Sequence, residues 1–294
     1  MDLSHLSLYP DKKLRALFGL TRSALSALLE DALPELSARR RKEQQSRKGR
    51  KRAVGGGRTR RLKPYQEVLL TLLYLRHNVS HAVVGEMFGV SADTSENTFP
   101  EVVAMLREVC PSCRFDAEKH WNKSEPAWKP EELDRILIDS FETPICRPSN
   151  NEAQRRVYSG KKKRHTLKSQ VITDASGEIQ QIEAGHRGPV SDKKLYEGSG
   201  VKQRYPKAKK QADLGYLGAE GVEVPHKKPK NGELTPEQKE ANRVHASARV
   251  HVEHGIRRVK GFAILRDEYR LALGLFPMIA HAVVGLVQLN RIMG

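Results

Sequence analysis

Three acidic residues, Asp139, Asp213 and Glu253, stand where a carboxylate is out of place. Asp139 interrupts the apolar run RILIDSF, and Asp213 closes KKQADLGY just ahead of Gly215. Glu253 is the single acid in RVHVEHGIRRVKG, beside three arginines, one lysine and two histidines. Carboxylates forced together repel, and burial raises their pKa values. Divalent cations remove that conflict: Mg²⁺ takes a few carboxylate oxygens and completes its shell with water and substrate phosphate. Two ions about 3.5–4 Å apart activate the attacking oxygen and stabilise the leaving one. The chemistry open to this set is phosphodiester hydrolysis or transesterification. Taken singly, each acid has a plainer reading, as a turn or cap aspartate or as the ion-pair partner of an arginine. Their order along the chain, and the elements that carry them, favour the joint reading.

Those elements can be read from periodicity. On a helix, Arg249, Glu253, Arg257 and Lys260 fall within an arc of about 80°, and Val252, Ile256 and Val259 form the adjoining apolar stripe that presses onto a sheet. RILIDSF is a strand in which alternation puts Leu137, Asp139 and Phe141 on one side. A basic loop, YSGKKKRH, leads to a second strand, TLKSQVITD, with a turn over 174–177, and EIQQIEAG alternates as a third. SDKKLYEGSGVKQRY reads as a helix capped by Ser191. KKQADLGYLG is a fourth strand with a Gly-rich exit, and after a polar insert a long helix runs from about Pro236 to Phe262. Three strands, a helix, a fourth strand and later helices is the order of an α/β ribonuclease H-like domain, with a mixed five-stranded sheet and flanking helices. There the first and fourth strands are neighbours, so Asp139 and Asp213 converge and Glu253 closes the cluster. Asp192 is a competing second acid. It precedes a helix rather than ending a strand, so it is assigned a supporting place.

The first third has a different grammar. LFGLTRSALSALLEDAL, from Leu17, and MFGVSADTSENTFPEVV, from Met87, share an apolar residue, Phe, Gly, an apolar residue and Thr or Ser before a helical stretch. Gly19 and Gly89 allow a tight turn, and Thr21 and Ser91 can cap the following helix. Both are helix–turn–helix units. The second is fuller, but its recognition stretch ADTSENTF carries Asp93 and Glu96 and no arginine or lysine. The first has Arg22 and leads into a basic run, which makes it the better DNA-facing candidate. The expected organisation is an N-terminal helical segment with a basic linker (1–63), a helix–turn–helix domain (64–110), a connector (111–130) and the catalytic domain (131–294).

Net charge is +17, and the stretch from Arg39 to Lys63 holds thirteen Lys/Arg against one acid, Glu43. An excess of this size predicts a polyanionic partner, nucleic acid first. The run supplies Arg39, Arg40, Arg41, Lys42, Arg47, Lys48, Arg50, Lys51, Arg52, Arg58, Arg60 and Arg61 for sequence-independent contact with phosphates. Lys161, Lys162, Lys163, Arg164 and Arg257 are candidates nearer the acids. Cys110, Cys113 and Cys146 cannot build a disulfide framework; they read as reduced thiols in a cytoplasmic protein, not as a zinc or redox centre. The apolar C-terminal stretch is interrupted by Pro277, His281, Gln288 and Asn290, which favours a buried closing helix over a membrane span.

Several blocks together resemble a known family. ILIDSFETPICRPS, YSGKKKRHTLKSQVITD, GHRGPVSDKKLYEGS, ADLGY and NRVHASARVHVEHGIRRVKGF, with EVLLTLLYLRHNVSHAVVGEMFGVS ahead of them, are similar to the DDE transposases of the Harbinger-like superfamily, which includes many bacterial insertion-sequence transposases. The resemblance implies Asp139, Asp213 and Glu253 as the metal-binding triad, with Arg249 and Lys260 as basic partners of the glutamate. A tyrosine common ahead of that arginine is replaced by Ala246. It also implies two Mg²⁺ ions, with Mn²⁺ able to substitute. The substrate would be double-stranded DNA at the element's ends and at the target, cut and then joined by a dimer or larger assembly at the bacterial nucleoid. The rival readings are a non-catalytic DNA-binding descendant and a structure-selective nuclease on the same fold.

Overall fold

The computed structural model describes residues 8–46 and 60–294. Its first part is helical. Helices α1 (Asp11–Phe18) and α2 (Arg22–Ser46) form the first helix–turn–helix-like unit, and α3 (Pro64–His77), α4 (His81–Phe88) and α5 (Ala92–Val109) the second. The turns behave as their residues require. Gly19 and Gly89 are left-handed, at φ 78° and 69°, a region that costs glycine nothing. Thr21 Oγ1 accepts from the Ala24 N–H, and Ser91 Oγ accepts from the Thr94 N–H at 3.2 Å, each satisfying an otherwise orphaned helix-start donor. Helix α3 is buried from Glu67 to Leu75 and forms the axis of this part. The stretch expected as a connector contains a helix, α6 (Arg114–Asn122), with Ala117 and Trp121 buried. Its mixture of charge and aromatics hides a short periodicity.

The second part is built on a six-stranded sheet: β1 (Arg135–Pro144), β2 (Tyr158–Ser159), β3 (Arg164–Asp174), β4 (Ile179–Arg187), β5 (Lys209–Ala212) and β6 (Val222–Glu223). Strand β1 is central, antiparallel to β3 on one side and parallel to β5 on the other. Strand β4 pairs antiparallel with β3, and β6 pairs parallel with β5. This mixed sheet with flanking helices is the expected ribonuclease H-like α/β fold. The additional strand is β2, two residues of the basic loop that close a hairpin onto β3. The helix expected after Ser191 is broken in two, α8 (Asp192–Gly198) and α9 (Val201–Arg204), by left-handed Gly200. A seven-residue helix, α7 (Asn151–Val157), precedes β2.

Alternation along β1 separates two cores. Leu137 and Phe141 join Val171 with Val252, Ile256 and Val259 of the long helix α10 (Pro236–Lys260). Ile136 and Ile138 face the other way, with Ile172, Ala212, Tyr196 and Tyr205 under α8 and α9. Asp139 is in phase with Leu137 and Phe141, so it belongs to the α10 side. After α11 (Ala263–Arg266), the chain closes with α12 (Phe276–Ile292). The stretch Leu273–Ile292 is long and apolar enough to cross a membrane, yet most of it is buried. It packs on β4, α5 and α6, as expected for a closing core helix. At the α5 end the approach is close: a Cβ on Gly285 would sit 2.0 Å from the Cys110 carbonyl oxygen. The larger core runs without interruption from α1–α5 through α12 to the sheet.

Candidate active site

The β1–β5 ladder pairs Ile138 with Ala212, so the next residues on the two parallel strands, Asp139 and Asp213, leave the ladder side by side. Asp139 Oδ1 accepts from the Ser140 N–H at 2.7 Å, and Asp213 Oδ1 caps a short turn by accepting from the Gly215 N–H at 2.9 Å. From above the sheet, Arg249 of α10 places Nη2 3.4 Å from Asp139 Oδ2. Burial raises the Asp139 pKa, and the charges of Asp213 and Asp192 push in the same direction; the Ser140 N–H and Arg249 oppose them. Tyr216, buried below, records the same crowding. Its hydroxyl pKa is raised by burial and then by Asp192, Asp139 and Asp213.

Asp192 reaches this neighbourhood from the start of α8. Its Oδ1 accepts from Ser140 Oγ at 2.7 Å and pairs with Lys168 Nζ at 3.0 Å, both side chains being nearly buried. The sequence reading missed Lys168 and Ser140. The available signal was a lysine at a strand position that alternation turns inward. Gly215 fits between the two acids: a Cβ there would lie 2.5 Å from Asp192 Oδ2 and 2.9 Å from Asp213 Oδ1.

Glu253 lies one helical turn beyond Arg249, exposed, in a cleft of about 470 Å³ with Ile256, Arg257, Lys260, Gly261 and Arg266. The structure therefore brings Asp139, Asp213 and Asp192 together and puts Glu253 on the helix that touches Asp139. Among the described residues, no three His, Cys, Asp or Glu side chains are arranged to hold a metal ion. Lys260 Nζ stands 5.2 Å over the Phe141 ring. Its pKa is lowered by burial and by Lys162, against the pull of Asp139 and Glu142, which places the basic β2–β3 turn beside the site. Lys161, Lys162 and Lys163 are exposed in that turn. Arg164 makes an exposed pair with Glu268 at 3.4 Å.

The other basic candidates divide. Arg40 Nη2 pairs with Glu67 at 2.7 Å and Nε with Glu101 at 2.6 Å. Arg60 joins the same two acids, and Arg39 pairs with Glu35 and Glu108. These three guanidiniums pair with carboxylates of the helical part. Arg22 donates to the Tyr9 carbonyl, and the α2 start is tied to the chain's end by the Thr21 N–H to Asn290 Oδ1 and by Ser23 to the Met293 carbonyl. Arg41, Lys42 and Arg61 are exposed. Arg47, Lys48, Arg50, Lys51, Arg52 and Arg58 lie outside the described residues.

The donor set suits a hard divalent cation. It is all carboxylate oxygen, its Asp139 pKa is raised by burial and then by the neighbouring acids, and it stands beside cations able to take phosphate. A ribonuclease H-like sheet carrying these acids suits an enzyme that cleaves phosphodiesters. Comparison with known proteins agrees. Residues 138–288 match the family described as DDE superfamily endonuclease, and residues 60–112 match the helix-turn-helix of DDE superfamily endonuclease. The chain is similar to a probable transposase for insertion sequence element IS702 of Microchaete diplosiphon, 32% identical over 235 residues, covering 78% of this chain and 82% of that protein. It is also similar to a protein assigned as transposase for insertion sequence element IS112 of Streptomyces albus G, 27% identical over 245 residues, covering 82% and 84%. No solved structure matches. The chain belongs to the DDE superfamily endonucleases, and divalent-metal dependence comes with that membership. The helix–turn–helix match falls on α3–α5, the second and fuller unit.

Proposed function

We propose that the chain is a DNA transposase that binds the terminal inverted repeats of an insertion sequence, cleaves at its ends and joins the freed 3′-hydroxyl to target DNA. The observation that carries this is the side-by-side exit of Asp139 and Asp213 from β1 and β5, with Arg249 of α10 on Asp139. Asp139, Asp213 and Glu253 would hold two Mg²⁺ ions, replaceable by Mn²⁺, which supply activation of the attacking oxygen and stabilisation of the leaving one. Asp213 is the better second acid because Asp192 is already neutralised by Lys168. Lys161, Lys162 and Lys163 with Arg257 and Lys260 grip the backbone on either side of the scissile phosphate, and Arg249 orients Asp139. Bases are read by α4–α5. Two ends must meet for joining, so a dimer or larger assembly at the nucleoid follows from the reaction.

The test is incubation of the purified protein with duplexes carrying the element's ends and a supercoiled target, with Mg²⁺, Mn²⁺ or EDTA. Metal-dependent nicks at the ends followed by joined products are expected. Cleavage that stops at free ends would make the protein a nuclease, and binding without nicks in either metal would leave a DNA-binding descendant.

A further inference from the structure

A sizeable cleft lies away from the acids. It has a volume of about 670 Å³ and is lined by Arg147, Asn151, Gln154, Arg155, Tyr158 and His165, which is within the size range of small-ligand sites. It opens where β1 ends: Pro144 pairs with Thr166, and the Ile145 N–H donates to the His165 carbonyl. Five residues of strand separate Pro144 from Asp139, about 17 Å at the rise of an extended chain.

Charge in this cleft is uncompensated in a selective way. Its neighbours are paired, Arg156 with Glu152 and Arg164 with Glu268. Among the described residues, Arg147 donates only to the neutral Gln154 Oε1, at 3.0 Å. Arg155 is exposed and has no carboxylate partner among the described residues. Between them Tyr158 shows 43% of its surface, braced edge-on by the His165 ring at 5.5 Å between centroids. A large exposed aromatic next to free guanidiniums is the combination used to hold unpaired nucleotides. The ring stacks on a base while the cations take the phosphate. A duplex offers no base face to such a ring.

We infer that the cleft between α7 and β2 binds one unpaired nucleotide of the DNA substrate, its base on Tyr158 and its phosphate on Arg147 and Arg155. This rests on DNA being the substrate. A strand lying in the site reaches the cleft within a few nucleotides of the scissile phosphate. Opened DNA near the cut is the ligand the cleft selects.

The test is fluorescence anisotropy in EDTA with a labelled ten-nucleotide single strand and with the matching blunt duplex, so that cleavage plays no part. Tyr158→Ala is expected to weaken single-strand binding by about 5- to 100-fold while changing duplex affinity little. Tyr158→Phe should retain binding, and Arg155→Gln should weaken it and lower its salt slope. Equal losses on both DNAs would overturn the inference by showing a general backbone contact. So would unchanged single-strand affinity in both Tyr158→Ala and Arg155→Gln. Binding in EDTA needs no cleavage, so this result stands apart from the fate of the catalytic assignment.

Discussion

Arg249 and Asp139 meet at 3.4 Å across the gap between the long helix and the central strand. The pair bears on the ionisation of a largely buried acid. Burial raises the Asp139 pKa, Asp213 and Asp192 raise it further, and the Ser140 N–H and Arg249 hold it down. Only the ionised carboxylate ligates a cation. Arg249→Gln removes one of the two opposing influences, so the Asp139 pKa rises. The acid limb of the pH–rate profile for Mg²⁺-dependent cleavage should then move to higher pH. A limb that stays in place or moves down would separate Asp139 from the metal step.

The three proposed ligands should behave alike. Asp139→Asn, Asp213→Asn and Glu253→Gln are each expected to lower cleavage about 10³-fold, equivalent to the several kcal/mol a metal supplies, with duplex affinity kept. Asp192→Asn is a different case. It strands buried Lys168 and should cost about 3 kcal/mol of stability in chemical denaturation, recovered when Lys168→Met is added. Full cleavage in Asp213→Asn beside a folded, inactive Asp192→Asn would exchange their roles.

Gly215→Ala tests spacing without altering charge. The added carbon would press on both the Asp192 and Asp213 carboxylates, and displacement of reacting groups by about 1 Å costs on the order of 10²-fold in rate. Cleavage should fall by that order and recover in part at high Mg²⁺. A variant with ordinary kinetics would show that neither carboxylate needs its present place.

The ion-pair network of the helical part should respond to acid. Burial works to raise the Glu101 pKa, but Arg40 and Arg60 together hold it below its ordinary value. A depressed carboxyl pKa stabilises the fold above its unfolded value, and that contribution is lost as pH falls through the folded value. Melting temperature followed by circular dichroism should drop on acidification below about pH 4.3, less steeply in Glu101→Gln. Arg40→Met, which leaves buried Glu67 with Arg60 as its remaining cation, should cost about 1.5–3 kcal/mol.

Salt dependence probes the basic turn. Replacing Lys161, Lys162 and Lys163 with alanine should weaken binding to all duplexes. The slope of log affinity against log salt should shrink by about 0.9 for each phosphate that the turn no longer neutralises. An unchanged slope would place the turn off the DNA path.

How legible this was from sequence depended on the range of the forces involved. Alternation in RILIDSF put Asp139 on the α10 side, and the four- and three-residue spacings in RVHVEHGIRRVKG put Val252, Ile256 and Val259 on the sheet, because both signals are local. Strand order followed from the order of elements, and with it the meeting of Asp139 and Asp213. Charge pairing was not legible. Arg40 looks free in its own segment, and its partners Glu67 and Glu101 arrive from other helices. Lys168 looked like one more strand residue until α8 brought Asp192 to it. The short α6 was hidden among prolines, tryptophans and charges.

Gly285 lets α12 press directly on the end of α5 while the same helix covers β4. The helix–turn–helix and the sheet that carries the acids are therefore welded rather than tethered. The protein acts as a fixed calliper. With α4–α5 reading bases and the acids cutting as proposed, the number of base pairs between repeat and cut is set by the thickness of one shared core, and an end that drifts by half a turn of the double helix presents the wrong side of its backbone to the acids.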